Sequence, residues 1–152
     1  MLRFAAVLAL ACVATPSLAK DSLGVFSSWA AFRDASPARC YAIAQPQGKS
    51  SDAFASVSTW PKAKIRNQVH FRLSRPVASG KATLRIGSSR FELTARGRDA
   101  WAKDKQADAA IVSAMRTSIS MRVSAAGFTD RYALAGAATA MDAAVVGCSA
   151  RK

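Results

Sequence analysis

A chain of 152 residues accommodates one ordinary domain, and 51% hydrophobic with 20% charged residues is a globular composition, not that of a disordered chain or a multi-span membrane protein. Lys and Arg number 22 against 9 Asp and Glu, a formal net charge of +13, so a partner drawn in by charge is anionic. One histidine and three cysteines leave little material for a metal centre or for imidazole-based catalysis.

The first residues read as an export signal. Met1-Leu2-Arg3 carries a positive charge, 4–14 is apolar apart from Cys12, and the small residues Ser17 and Ala19 follow Thr15-Pro16. A charge, a short apolar run and a small-x-small end predict a signal peptide over 1–19, cut between Ala19 and Lys20, with a single β-rich domain over 20–152. The apolar run falls short of the ~20 residues a membrane-spanning helix needs, so no transmembrane span is expected in the mature chain. Leu10-Ala11-Cys12 loosely resembles a lipid-attachment sequence, but Ala9 stands where a larger aliphatic residue is expected, and Cys12 is predicted to leave with the leader.

Cys40 and Cys148 then remain as an even pair in an oxidising compartment, periplasmic or extracellular, and are predicted to form a disulfide. Chain-entropy arithmetic for a loop of about 109 residues gives roughly 4–5 kcal/mol. No Cys-x-x-Cys motif supports a thiol nucleophile or a redox pair instead.

Along the mature chain, period-two alternation predicts strands. Weaker ones cover 28–34, 39–44 and 54–60. A polar loop, 45–52, breaks the pattern. Val69, Phe71 and Leu73 point one way, and His70, Arg72 and Ser74 the other. After a break at 76–80, Ala82, Leu84 and Ile86 face Phe91, Leu93 and Ala95 across a Gly87-Ser88-Ser89 turn. Two registers keep the apolar residues inside. Pairing Ile86 with Phe91 sets Arg85 against Glu92 and is favoured by charge, while pairing Leu84 with Phe91 sets Arg85 against Arg90 and is favoured by the two-residue turn. The electrostatic register is the expected one. Asp104 is the predicted N-cap of a helix over 105–116, with Ala107, Ala110, Ile111, Ala114 and Met115 on its apolar stripe. Ile119, Met121 and Val123 alternate with Ser120, Arg122 and Ser124, and Ala126-Gly127 turns the chain into a strand over 129–134. An Ala-rich helix over 137–146 is predicted to stop at Gly147. The expected fold is mainly β (α+β being the fallback): an antiparallel sandwich or small barrel of about seven strands with two covering helices.

No H-E-x-x-H, G-x-S-x-G, phosphate-loop or G-x-G-x-x-G motif is present, and no carboxylate pair stands out as an acid/base dyad. Neither a cofactor nor a metal is expected, and no residue is assigned a catalytic role. Arginine density is the strongest feature. On the strand reading His70, Arg72, Arg85 and Arg90 all point away from the core and form a candidate anion-binding face. In an envelope compartment its ligand would be lipopolysaccharide, an anionic lipid or an acidic glycan, or the face would meet a protein partner. Nucleic acid fits the charge but not the export signal. His70 reads as a solvated strand residue, and Trp29, Trp60 and Trp101 read as core or core-edge packing.

Leu23-Gly24-Val25-Phe26-Ser27-Ser28-Trp29 and Cys40-Tyr41-Ala42-Ile43-Ala44-Gln45 resemble the opening of the invasion-associated locus B family, small exported or periplasmic bacterial proteins. The stretches 108–116, 121–123 and 132–141 resemble that family's closing half. Family members often carry further cysteines in mid-chain, and this sequence has none between Cys40 and Cys148. The resemblance implies an exported, β-rich, non-enzymatic envelope protein, with a link to host-cell interaction, and carries over no catalytic residue. Two alternatives are a periplasmic enzyme or enzyme inhibitor, marked by a pocket joining His70 to a carboxylate and a serine, and a lipid- or ligand-carrying barrel with a cavity lined by Phe71, Leu84, Phe91 or Met121.

Overall fold

The computed structural model describes residues 20–48 and 52–149. Ala19, Cys12 and the rest of the predicted leader lie outside the described residues, and Lys20 is the first of them. The described chain forms strands β1 (Asp21–Phe26), β2 (Trp29–Ala35), β3 (Ala38–Ala44), β4 (Phe54–Trp60), β5 (Ile65–Val77), β6 (Lys81–Ile86) and β7 (Ser89–Ala102), then helix α1 (Lys105–Thr117), β8 (Ser120–Ala125), β9 (Phe128–Ala133) and helix α2 (Ala137–Ser149). All nine strands join one sheet in the order β1-β2-β3-β4-β5-β7-β6-β8-β9. Every pairing is antiparallel.

The sheet follows from alternation. Val57, Val69, Phe71, Leu73, Leu84, Ile86, Leu93, Met121, Val123 and Tyr132 are all buried and form its inner face. Removing a side chain of this size from water stabilises by about 1.5–3 kcal/mol. The helices share the covering of that face: α2 packs on β1 to β4, α1 on β5, β6 and β7. Arg116 of α1 pairs with Asp142 of α2 at 2.7 Å where the two meet. Two carboxylates are turned inward to satisfy backbone N–H groups of β5. Asp108 of α1 accepts from Val69 N at 2.8 Å, and Asp130 of β9 accepts from Ser74 N at 2.9 Å.

β7 serves two neighbours. Its first half pairs with β6, and its second half pairs with β5 through Arg72↔Asp99, Phe71↔Ala100 and His70↔Trp101. Gly97, at φ 59°, lies where the partner changes. The sheet is not closed by pairing of β1 with β9, but it curls until its two ends touch. The Trp29 indole N–H donates to Ala133 O at 2.9 Å and Ser28 N donates to Ala135 O at 3.2 Å. Gly136, at φ 85°, lies so close to Phe26 that a Cβ there would collide with its carbonyl oxygen.

The mainly β class with two covering helices is the one predicted, and so is the disulfide. Cys40 of β3 is bonded to Cys148 in the last turn of α2, with Cα atoms 5.8 Å apart. Asp104 caps α1, its Oδ1 accepting from Ala107 N at 2.7 Å. Several local expectations are corrected. The β6–β7 register pairs Leu84 with Phe91, so Arg85 faces Arg90, not Glu92. The two-residue Gly87-Ser88 turn, with Gly87 at φ 55°, outweighs a charge preference worth a few tenths of a kcal/mol. The buried stripe of α1 is Asp108, Ile111, Val112 and Met115, and Ala110 is exposed, because Asp108 must reach Val69 N. Helix α2 runs through Gly147 to Ser149. Gly147 is a close-approach residue: a Cβ there would lie 2.5 Å from Leu23 Cδ1. Ile119 is not an inward strand residue. It precedes β8, is 90% exposed, and offers its carbonyl to Leu134 N. β1 adds a strand that alternation did not indicate.

Candidate anion-binding face

Outward positions alternate with the buried ones, and on four neighbouring strands the same register position is arginine. Arg90 of β7 pairs with Arg85 of β6, Arg85 pairs with Arg122 of β8, and Arg122 pairs with Arg131 of β9. All four are exposed. Adjacent strands are about 4.8 Å apart, so four cationic groups lie in a line spanning roughly 14 Å. Among the described residues none of the four makes an ion pair. Like charges placed directly opposite each other repel, so the row is a local stress that hairpin geometry and core packing hold in place.

One pleat along the same face, Thr83, Ser124 and Thr129 form a second row of hydroxyls, in register with one another. The Ser124 and Thr129 hydroxyls lie 3.0 Å apart. Glu92 ends this row on β7 and pairs with Lys81 at 3.4 Å. On the other side of the arginines, Gln47 N donates to Arg131 O at 2.7 Å, which brings Gln47 beside the row. A groove of about 220 Å³ results, lined by Gln47, Arg85, Gly87, Ser120, Arg122 and Arg131.

The four residues foreseen as one face are thus divided. Arg85 and Arg90 belong to the row. His70 and Arg72 project from β5 onto a single carboxylate, Asp99, at 2.9 and 3.2 Å. His70 is packed between Trp101, stacked at 5.2 Å, and the edge of Phe54 at 5.4 Å. Ser56 directs its hydroxyl to the His70 backbone carbonyl and not to the ring. Arg122 and Arg131 were missed as site residues. The Ala126-Gly127 turn sets Arg122 against Arg131 once it is read as a two-residue hairpin loop.

Trp29 is buried, whereas Trp60 and Trp101 are half-buried at the core's edge, Trp60 beside the Arg39 guanidinium. The interior that a ligand-carrying barrel would need open is filled by Phe71, Leu84 and Met121, with Phe91 packed against them. Another cavity, of about 500 Å³, lies away from the row, where Lys64, Arg66 and Asn67 face Val145 and Ser149 of α2. Its described lining gathers fewer cations than the row. Arg98 shows what paired arginine looks like here: it donates to Leu73 O at 2.8 Å and holds the Asp52 carboxyl below the usual carboxylate range through their hydrogen bond. Among the described residues no cluster of three or more His, Cys, Asp or Glu could hold a metal ion, and no helix is long and apolar enough to cross a membrane. No family model, no curated protein and no solved structure matches this chain.

Proposed function

We propose that this chain is an exported, non-catalytic envelope protein of the invasion-associated locus B type, periplasmic or secreted, whose basic face holds an anionic envelope component. Lipopolysaccharide, an anionic lipid or an acidic patch on a protein partner meets that requirement. The observation carrying the reading is the row Arg90-Arg85-Arg122-Arg131, without an ion pair among the described residues, a surface whose self-repulsion an anion relieves. The disulfide between β3 and α2 fits an oxidising compartment. The segments that resemble the family opening fall on the β1–β2 hairpin and on β3, the strand that carries Cys40.

Two measurements test this reading. Fractionation of the native cells, with mass measurement of the chain under non-reducing conditions, is expected to find a mature, oxidised protein outside the cytoplasm. At low ionic strength the protein is expected to sediment with vesicles containing lipopolysaccharide or phosphatidylglycerol, to be released by salt, and to ignore zwitterionic vesicles. Failure to bind any anionic surface at low ionic strength overturns the anion-binding role, and a reduced cytosolic chain overturns export.

A further inference from the structure

We propose that the arginine row is a track for a linear acidic polysaccharide, which lies across the strands and sets its sheet-facing carboxylates against the arginines. The inference rests on the anion-binding reading above and narrows it to one ligand class. The periodicity is set by the sheet. Arg90, Arg85, Arg122 and Arg131 recur once per strand, at about 4.8 Å, close to the length of one pyranose unit in an extended chain. Guanidinium groups grip planar carboxylates with two parallel hydrogen bonds, and because successive sugars turn about the chain axis, the carboxylates turned toward the sheet are gripped while sugar hydroxyls meet the strands between them.

The surroundings favour a sugar polymer over a bilayer. The neighbouring row is neutral: Thr83, Ser124 and Thr129 offer hydroxyls that donate and accept, which suits sugar hydroxyls better than a plane of phosphates. The groove between the row and Gln47 is concave, and a flat membrane does not enter it, whereas a chain does. Ile119, exposed beside Ser120, is a single apolar residue, too little to insert into a bilayer. The surroundings also disfavour single-stranded nucleic acid. The outward positions around the row (Thr83, Glu92, Ser120, Ser124, Thr129, Ala133) include no aromatic ring on which a base could stack.

The test is calorimetric titration of the oxidised full mature chain with galacturonate oligomers of increasing length. Affinity is expected to climb up to the tetramer and then level off. Arg85→Gln and Arg122→Gln should each weaken tetragalacturonate about tenfold, and Arg122→Lys, which keeps the charge but loses the fork, should fall between. Arg66→Gln, an exposed arginine away from the row, should change affinity less than twofold. Circular dichroism and thiol titration confirm that each variant keeps its fold and its disulfide. Binding to phosphatidylglycerol vesicles without binding to tetragalacturonate overturns the track and leaves the anion-binding reading standing. Equal affinity for monomer and tetramer, or equal losses in Arg66→Gln and Arg122→Gln, reduces the face to diffuse charge and overturns it too. An oligothymidylate that binds as tightly as tetragalacturonate overturns the assignment to a glycan. Silence towards every anion at low ionic strength overturns both readings together.

Discussion

In the half of the sheet built from β1 to β4, arginine is neutralised where it stands. Arg33 pairs with Asp21 and Arg39 with Asp34, and Arg39 also lies over the rings of Tyr41 and Trp60. Even residues facing away from the helices are covered there: Tyr41, Ser56 and Ser58 are each at most 5% exposed. The region of the sheet formed by β6, β8 and β9 with the start of β7 is its opposite. Its inner face is as tightly packed, yet its outer face carries four arginines in line with no ion-paired carboxylate among the described residues. The same chain that places aspartates beside arginines at one end withholds them at the other. Packing accounts for the first arrangement and does not require the second, which is why the proposed anion is sought there.

The comparison breaks most visibly at the disulfide, which fastens the β1–β4 half to α2. Cys148→Ala or reduction is expected to remove up to about 4–5 kcal/mol, read as a lower denaturant midpoint, with amide exchange accelerating in α2 before α1. An unchanged midpoint would mean that packing of α2 alone secures that half. Gly136→Ala strikes the seam where the two halves meet. A left-handed backbone and the collision with the Phe26 carbonyl should destabilise by about 2 kcal/mol or more, seen as a drop in Tm. Arg122→Gln sharpens the contrast from the other side. Removing the centre of a like-charged row should raise stability by about 0.2–1 kcal/mol at low salt, with the gain fading as salt is added. A loss of stability would mean that the row is structural.

The smallest effect concerns Asp108. Burial holds its carboxyl above the ordinary 3.8, helped by the Asp104 charge and opposed by the hydrogen bond from Val69 N. Because the folded state binds this proton more tightly than the unfolded chain, the group's contribution is complete below 3.8 and is lost as pH rises through the raised value. Asp108→Asn keeps an acceptor for Val69 N and does not ionise. Its midpoint relative to the wild type should therefore rise across mildly acidic pH and then stay level.

Much of this was legible in the residues. Alternation marks β5 through Val69, Phe71 and Leu73, and Asp104 announces α1. What was hidden has physical causes. β1 carries Gly24 at φ 137° and a register shift there, so its apolar residues do not alternate cleanly. The burial of Asp108 and Asp130 depends on backbone donors of β5 that are distant in sequence. Half of the arginine row is local. Arg85 opposite Arg90 and Arg122 opposite Arg131 follow from two tight turns, although the first was set aside in favour of a salt bridge. The join between Arg85 and Arg122 is not local. It exists because β6 is inserted between β7 and β8, an ordering no short stretch of sequence declares.

Cys40 precedes its partner by 108 positions, and that partner belongs to the last helix. However the bond is formed, the earlier sulfur must wait for nearly all of the intervening chain to be made and to settle before it can be closed. A product truncated before α2 therefore keeps an orphan thiol at Cys40, so the closed crosslink certifies that the chain was finished.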